Sequence, residues 1–220
     1  VCSNSPGPGE AGEALVHETA AAGARALAAQ ADVSREDEVV RLFREVDDRL
    51  GTLTALVNNA GILETQTRVA EMTADRLARV LATNVVGSFL CAREAVGRMS
   101  TRGGGAGGAI VNVSSAASRL GSPGEYVDYA ASKGAVDSLT IGLAKEVAAE
   151  GIRVNAVRPA FIYTEIHASG GEPGRVDRVA GSVPMRRGGR PEEVAEAILW
   201  LLSPEASYVT GSFVELSGGG

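Results

Sequence analysis

Short apolar runs alternate along the chain with longer segments in which apolar residues recur at helical spacing. Each run is apolar at successive positions, as a strand buried between two layers of helices must be. This alternation is typical of a parallel sheet that is covered by helices. We therefore predict five strands, over residues 26–31, 53–58, 109–114, 152–157 and 213–216.

Four segments carry the helical pattern. The first follows Ser34, which stands before Asp37 and an apolar stripe, so that the two residues resemble a capping box. The last begins at Pro191, a favourable residue in a first helical turn, and ends before Pro204. The other two helices are predicted over residues 73–99 and 127–149.

Together these elements predict one α/β domain over residues 1–220, built on a doubly wound parallel sheet that resembles the Rossmann arrangement. One segment breaks the alternation, because residues 160–190 contain no convincing strand and many glycines. Loops of this length inside a compact domain are usually functional or disordered. The segment follows the carboxyl end of a strand, where open α/β sheets bind ligands, so we interpret it as a substrate lid. A tolerated surface insertion is the alternative.

The composition is unusual in its glycine content. The chain has 28 glycines among 220 residues, whereas about 7% is average. Without a collagen-like period, this content suits an α/β protein whose loops approach a ligand closely. The net charge of −6 provides no basic surface for nucleic acid, so we expect no nucleic-acid partner.

The cysteines, the histidines and the lengths of the apolar runs indicate the cellular compartment and whether a metal site is expected. Cys2 and Cys91 cannot form a disulfide framework, which favours a reducing compartment. No apolar run reaches about 18 residues and no secretory signal is visible, so we expect a cytoplasmic protein without a membrane span. His17 and His167 stand far apart without carboxylates or cysteines at ligand spacing, and no metal site is predicted.

The most informative stretch is Tyr129-Ala-Ala-Ser-Lys133. At this spacing in a helix, the tyrosine and lysine side chains lie on one face. A free tyrosine titrates near about pH 10, and a nearby ammonium group favours the phenolate and lowers that pKa. The pair is a candidate for general acid–base chemistry, although many helix surfaces carry such a pair by chance.

Two further features add polar groups to this candidate site. The run Ile110-Val-Asn-Val-Ser-Ser115 is typical of a buried strand that ends in two hydroxyl groups. A serine at this end can hydrogen-bond a substrate carbonyl, or it can cap a turn. Asn84 falls inside a predicted helix, where asparagine is mildly unfavourable. Its side chain either points to solvent or helps, with its backbone, to hold a water that extends a proton path.

These motifs together resemble the short-chain dehydrogenase/reductase family. They occur in the family's order: Leu56-Val-Asn-Asn-Ala-Gly-Ile62, the Asn84 helix, Ser114-Ser115, Tyr129-Ala-Ala-Ser-Lys133 and Arg158-Pro159. The resemblance extends over the whole chain, and residues 119–129 are similar to a bacterial branch likened to glucose dehydrogenases and 3-oxoacyl-carrier-protein reductases. It implies an NAD(P)-dependent oxidoreductase that interconverts a small-molecule secondary alcohol and a ketone, without identifying the substrate.

The resemblance implies a role for each catalytic residue. Tyr129 would exchange a proton with the substrate oxygen, and Lys133 would lower the pKa of Tyr129 and hydrogen-bond the nicotinamide ribose. Ser115 would orient the carbonyl, and Asn84 would hold a relay water. Ser115 lies 14 positions before Tyr129, one more than the commonest family spacing, so Ser114 is the alternative.

The resemblance also implies a binding site for NAD or NADP. Besides Tyr129 and Lys133, its residues are Asp32 and Val33 at the adenine, Asn59, Ala60 and Gly61 along the adenosine ribose, and Ile162 and Thr164 at the nicotinamide carboxamide. An acidic residue at the end of the family's second strand would pair with the ribose hydroxyls of NAD. Asn4 and Ser5 there are neutral, and no arginine stands beside them, so we predict a slight preference for NADP.

Two departures from the family pattern stand out. Ala160 follows Pro159 where the family has glycine, which places a methyl group beside the expected nicotinamide. The glycine-rich phosphate turn between a first strand and a first helix is not found, and Gly7 and Gly9 align better with the loop after the second strand. We therefore expect a sheet of order 3-2-1-4-5-6 without its first strand and helix, in an N-terminally shortened chain or a rearranged fold.

These departures support a second hypothesis on function. In it, the chain is a catalytically inactive family member that acts as an oligomerising or interaction protein. In either hypothesis the resemblance implies a homodimer or homotetramer, because the family commonly pairs the helices of Asn84 and Tyr129 across subunits.

Overall fold

The structure, a computed structural model, describes residues 2–5 and 10–220. Among these residues it contains six strands, each parallel to its neighbours. In chain order the strands are β1 (Cys2–Ser5), β2 (Leu27–Gln30), β3 (Ala55–Asn58), β4 (Gly108–Val113), β5 (Ile152–Pro159) and β6 (Phe213–Leu216). Strands β2 to β6 confirm the five strands predicted from the apolar runs, with small differences at their ends.

The strands form two ladders, β2–β1 and β3–β4–β5–β6. In the larger ladder the register sets Asn58 of β3 beside Asn112 of β4. In the part of the chain that the structure describes, β1 and β3 each pair on one side only, which agrees with the predicted sheet without its first strand. The prediction for Gly7 and Gly9 lies outside the described residues.

Helices cover the strands and confirm the α/β class. The helix predicted over residues 73–99 is divided by a π-helical turn, Ala82–Val86, and Thr73 caps its first turn by accepting from the Arg76 amide. The helices of the described residues are α1 (Glu10–Ala21), α2 (Glu36–Leu50), α3 (Ala74–Leu81), α4 (Gly87–Met99), α5 (Ala117–Leu120), α6 (Val127–Val147), α7 (Ile166–Ser169), α8 (Arg175–Ala180) and α9 (Pro191–Leu202). None of these helices is long and apolar enough to cross a bilayer.

The capping box predicted at Ser34 is wrong. Helix α2 begins at Glu36, and the Ser34 hydroxyl donates to Asp32 Oδ1 at 2.7 Å. The Ser34 amide donates to the same oxygen at 2.9 Å. The Asp32 side chain therefore forms a turn with the backbone amide of Ser34. The Ser34 hydroxyl bonds Asp32 within this turn instead of capping helix α2.

A hydrophobic core lies between the helices and the strands. It includes Leu27 of β2, Met99 of α4 and Ile110 of β4. Because both ladders contribute to this cluster, they pack around one core. A second cluster joins Leu201 of α9 to Val111 of β4. Since Ile110 and Val111 are successive strand residues, the two clusters lie on opposite faces of the sheet.

Residues 160–190 fold into the two short helices α7 and α8 and the turns around them. A single backbone bridge joins Ile162 to Gly189 and brings the two ends of the segment together. The sequence pattern does not predict these helices, because neither completes two helical turns with an apolar stripe. The action of the segment as a lid stays a prediction.

Candidate active site

A cavity of about 680 Å³ opens at the carboxyl ends of β4 and β5. Its wall includes Ser114 and Ser115 after β4, Ala160 after β5, and Tyr129 and Lys133 of α6. Open α/β sheets bind ligands at this edge, because the loops that follow the strands are free to form a crevice there. The tyrosine, the lysine and both candidate serines thus lie in the wall of one cavity.

The phenol of Tyr129 and the hydroxyl of Ser115 both lie in the cavity wall, and Ser115 lowers the pKa of the phenol against the larger effect of burial. Ser115 is itself held in place, because its Oγ accepts from the Ala117 amide at 3.1 Å and lies 3.4 Å from the Pro159 carbonyl oxygen. The two neighbouring hydroxyl groups can each donate and accept. The arrangement is suited to holding one substrate oxygen beside a proton donor.

Lys133 is 4% exposed, and its Nζ donates to the Val113 carbonyl at 2.7 Å. Burial lowers the pKa of Lys133 to about 8, against the attraction of Asp137. The expected lowering of the Tyr129 pKa by Lys133 is wrong, because burial raises the pKa of Tyr129 and the Ser115 hydrogen bond opposes this only in part. The reason is that burial removes water from the phenolate, while Lys133 Nζ lies 5.5 Å from the centre of the ring.

Ser114 contacts a different set of groups. Its Oγ donates to Asp137 Oδ1 at 2.6 Å and lies 3.3 Å from the Lys133 carbonyl oxygen. Asp137 Oδ2 accepts from Nη2 of Arg158 at 2.9 Å, and Nη1 of Arg158 donates to Glu215 Oε1 at 2.8 Å. This network ties α6 to β5 and β6 beneath the cavity. Ser114 therefore belongs to the support of the site, and Ser115 contacts the tyrosine.

Asn84 is fully buried within the π-helical turn, so the interpretation in which its side chain points to solvent is wrong. Its Oδ1 accepts from the Ile62 amide at 2.8 Å, and its Nδ2 donates to the Ile62 carbonyl and to Ser132 Oγ, both at 3.0 Å. The side-chain amide thereby joins the loop after β3 to α6. Turns of this kind are frequent at functional sites. The relay-water role of Asn84 stays a prediction.

The predicted cofactor residues divide into two groups. Besides Tyr129 and Lys133, four belong to the wall of the cavity: Asn59, Gly61, Ile162 and Thr164. The other three, which are Asp32, Val33 and Ala60, lie outside that wall. Val33 packs against the first turn of α4, where a Cβ added to Gly87 would come within 2.7 Å of Val33 Cγ2. The wall of the cavity thus contains Ile162 and Thr164, predicted at the nicotinamide carboxamide, and also Asn59 and Gly61, predicted along the adenosine ribose.

The sequence motifs do not include all the polar residues around the cavity. His167 and Arg175 are buried in its wall, and neither belongs to a motif that could have identified it. Asp137 carries a usable signal, because it follows Lys133 by four residues and so lies on the same face of α6.

Comparisons with known proteins agree with this geometry. A family model described as enoyl-(acyl carrier protein) reductase matches residues 8–220. An Escherichia coli protein described as uncharacterized oxidoreductase YgfF is 68% identical over 198 residues, which are 90% of this chain and 80% of that protein. Glucose 1-dehydrogenase 2 of Bacillus subtilis is 36% identical over 197 residues, covering 90% of this chain and 75% of its own length. The 3-oxoacyl-[acyl-carrier-protein] reductase FabG of Staphylococcus aureus is 35% identical over 219 residues, covering 100% of this chain and 87% of its own length.

A solved structure shares the fold. It is the crystal structure of a short-chain type dehydrogenase/reductase from Mycobacterium marinum, with a TM-score of 0.91 and 32% sequence identity. The match covers 99% of this chain and 84% of the other. Fold, cavity and relatives define an α/β oxidoreductase. The chain belongs to the short-chain dehydrogenase/reductase family, which confirms the resemblance carried by its motifs.

Proposed function

We propose that the chain interconverts a secondary alcohol and a ketone with NAD or NADP. The observation that carries this proposal is the meeting of Tyr129, Ser115 and Lys133 in the wall of one cavity at the carboxyl ends of β4 and β5. The presence of these three side chains in one cavity wall supports this proposal over the catalytically inactive alternative.

In this proposal Tyr129 moves the proton. Because burial raises its pKa, the phenol keeps its proton at neutral pH and can act as the general acid when a ketone is reduced. In the reverse direction the phenolate accepts the proton of the alcohol. Ser115 holds the substrate oxygen beside the phenol, and Lys133 would hydrogen-bond the nicotinamide ribose of the cofactor. Asn84 acts as a positioning residue, because it holds Ile62 in the cavity wall.

The residues present fit the nicotinamide end of the cofactor. A Cβ added to Gly61 would lie 3.4 Å from Lys133 Nζ and 3.5 Å from Asn84 Oδ1, so the backbone approaches the ammonium closely at this glycine. When bound, the nicotinamide supplies or accepts the hydride at the substrate carbon. In the proposal, Lys133, Ile162 and Thr164 hold this end, Asn59, Ala60 and Gly61 lie along the adenosine ribose, and Asp32 and Val33 hold the adenine.

The slight preference for NADP is also a proposal. It rests on the neutral residues Asn4 and Ser5, whose side chains lie outside the described part of the chain. Ala160 belongs to the cavity wall, and its amide donates to the Leu216 carbonyl at 3.1 Å. The backbone of β6 therefore helps to fix the position of Ala160 in the cavity wall.

We also propose that the chain assembles as a homodimer or homotetramer through α4, α6 and the turn between α3 and α4. Phe89 of α4 is 51% exposed, Val86 of the turn is 46% exposed and Ile141 of α6 is 41% exposed. Large apolar side chains grouped on a surface are typical of interaction sites. Light scattering should give two or four times the chain mass of 22.5 kDa, and a monomer would contradict this part of the proposal.

Two measurements test the redox activity. Calorimetric titration with NADH and NADPH should show binding with a Kd below about 1 mM. The absorbance of the nicotinamide should then change when at least one compound from a panel of sugars, steroids and acyl-thioester ketones is added. The panel includes sugars and acyl thioesters because the relatives are described as acting on these two dissimilar kinds of substrate. Binding of neither nucleotide would favour the inactive alternative.

A further inference from the structure

Two buried nitrogen atoms of the cavity residues have no hydrogen-bond partner among the described residues. They are Nδ1 of His167 and Nη1 of Arg175. The two residues are 8% and 9% exposed, and both belong to the wall of the cavity that holds Tyr129. Buried polar atoms of folded proteins are nearly always paired, so each exception requires an explanation. In the wall of a ligand cavity, the direct explanation is a ligand atom.

The hydrogen-bonding character of His167 Nδ1 follows from the other ring nitrogen. Nε2 lies 3.0 Å from the Ile162 carbonyl oxygen, which can only accept, so Nε2 carries the hydrogen. Burial lowers the pKa of His167 and the charge of Arg175 acts in the same direction, against the Ile162 hydrogen bond. The ring is therefore neutral at pH 7, and its Nδ1 is an acceptor that lacks a donor.

Arg175 has the opposite character. Its Nη2 donates to Glu125 Oε2 at 2.5 Å, and its guanidinium carbon lies 4.8 Å from the centre of the Tyr126 ring, so the planar group is held in place. Nη1 lies 3.9 Å from Glu172 Oε2, which is beyond hydrogen-bond distance. Nη1 is thus a donor that lacks an acceptor.

The charges around Arg175 favour a neutral ligand. Glu125 and Glu172 face Arg175 and Arg178 in a cluster of two carboxylates and two guanidinium groups. Because these charges compensate one another, an incoming carboxylate would meet no net positive charge. A carboxylate also cannot donate to His167 Nδ1, whereas a hydroxyl group both donates and accepts.

We propose that His167 and Arg175 form a specificity subsite for the hydroxyl groups of a polyhydroxylated substrate, such as a polyol or a sugar. The inference rests on the proposed function, because the subsite shares the cavity of Tyr129. Both nitrogens are shielded from water in this conformation. The ligand therefore reaches them by displacing the adjoining wall within residues 160–190, and the new hydrogen bonds offset the free energy of that displacement.

Calorimetric titration of the full chain with linear six-carbon ligands, with and without NADPH, tests the subsite independently of turnover. The ligands are the hexitols sorbitol, mannitol and galactitol, the mono-alcohol hexan-2-ol, and the acid 5-hydroxyhexanoate. At least one hexitol should bind tenfold or more tighter than the other two ligands. Binding of the hexitols no tighter than hexan-2-ol, or tightest binding of 5-hydroxyhexanoate, would overturn the proposal.

A pair of variants assigns the effect to Arg175. Arg175→Lys keeps a positive charge beside Glu125 and removes Nη1, so it should weaken binding of the preferred hexitol about tenfold, which corresponds to about 1.4 kcal/mol. Binding of hexan-2-ol should stay within about twofold. Arg178→Lys is the matched control, because Arg178 belongs to the same ionic cluster but not to the cavity wall, and it should change neither ligand. Equal losses for both ligands in Arg175→Lys would show a structural role and refute the subsite.

The two proposals fail in different ways. Turnover of hexan-2-ol without any preference for hexitols would reject the subsite and leave the redox activity standing. Tight hexitol binding without turnover of any alcohol would reject the proposed function and leave the subsite standing. The ligand comparison uses the unmodified chain, so it decides the matter even where a variant does not fold.

Discussion

The side chain of Asn84 hydrogen-bonds both backbone groups of Ile62. The Ile62 amide donates to Asn84 Oδ1 at 2.8 Å, and Asn84 Nδ2 donates to the Ile62 carbonyl at 3.0 Å. The same Nδ2 also donates to Ser132 Oγ on α6 at 3.0 Å. Only a side-chain amide offers an acceptor and two donors in this compact form. The loop after β3 is therefore positioned over the cavity by one buried asparagine.

We predict that Asn84→Asp destabilises the fold by about 2–4 kcal/mol. Aspartate has the shape of asparagine and can still accept from the Ile62 amide. It cannot donate to the Ile62 carbonyl, and it places a charge in a fully buried position. Urea denaturation at pH 7 measures the free energy of unfolding. Val69→Ala is the control; Val69 is 61% exposed, and the change should stay within about 0.5 kcal/mol. An Asn84→Asp variant as stable as wild type would show that these hydrogen bonds contribute little.

Substitution of the two serines after β4 should have different effects: one change should mainly lower activity and the other should mainly lower stability. Ser115 contacts Tyr129, so Ser115→Ala should lower kcat by about 10²-fold or more and change the free energy of unfolding by no more than about 1 kcal/mol. Ser114→Ala leaves a buried carboxylate oxygen of Asp137 without its 2.6 Å donor. It should cost about 1–3 kcal/mol of stability. Initial rates and denaturation curves of both variants provide the comparison, and the reverse pattern would assign the substrate contact to Ser114.

The buried ammonium of Lys133 should make stability depend on pH. Its folded-state pKa of about 8 lies below the ordinary value of 10.5. The unfolded chain therefore binds more protons between these two values, and stability should rise with pH through that window. Below pH 8 the charged group costs roughly 3 kcal/mol in the folded state. Removing it in Lys133→Met should raise the free energy of unfolding at pH 7 by about 1–2 kcal/mol after the loss of the Val113 hydrogen bond.

This gain should shrink between pH 8 and 10.5 and disappear above that range, where the wild-type side chain is neutral in both states. Lys145→Met is the matched control, since Lys145 is exposed on the same helix. Its effect should be small at both ends of the range. A Lys133→Met variant that is less stable at pH 7, or a difference that does not vary with pH, would contradict the lowered pKa of Lys133. Turnover should be lost in Lys133→Met at every pH.

Much of the fold could be predicted because buried parallel strands read as continuous apolar runs. Residues 152–157, for example, lie within β5, and the helix predicted over 127–149 is α6 with a short turn after it. The π-helical turn at Asn84 could not be predicted in this way. It arises from hydrogen bonds to Ile62 and Ser132, which come from other parts of the chain, and the local pattern of residues 73–99 shows only one helix.

The candidate site could be predicted only as far as its motifs extend. The spacing of Tyr129 and Lys133 on one helix is enough to identify them as candidates, and both lie in the cavity wall. It did not predict the direction of the Tyr129 pKa, because burial depends on the whole fold. His167 and Arg175 carry no motif, and only the packing of residues 160–190 brings them to the cavity.

The turnover of Tyr129→Phe tests the central claim most directly. Phenylalanine keeps the ring and removes the hydroxyl that would exchange the proton with the substrate, so secondary-alcohol oxidation should fall by about 10³-fold or more. The Kd of NADH or NADPH, measured by calorimetry, should stay within about threefold. Tyr208→Phe, at a fully exposed tyrosine, should leave both quantities unchanged. A Tyr129→Phe variant that turns over substrate as fast as wild type would contradict the assignment of Tyr129 as the acid–base residue.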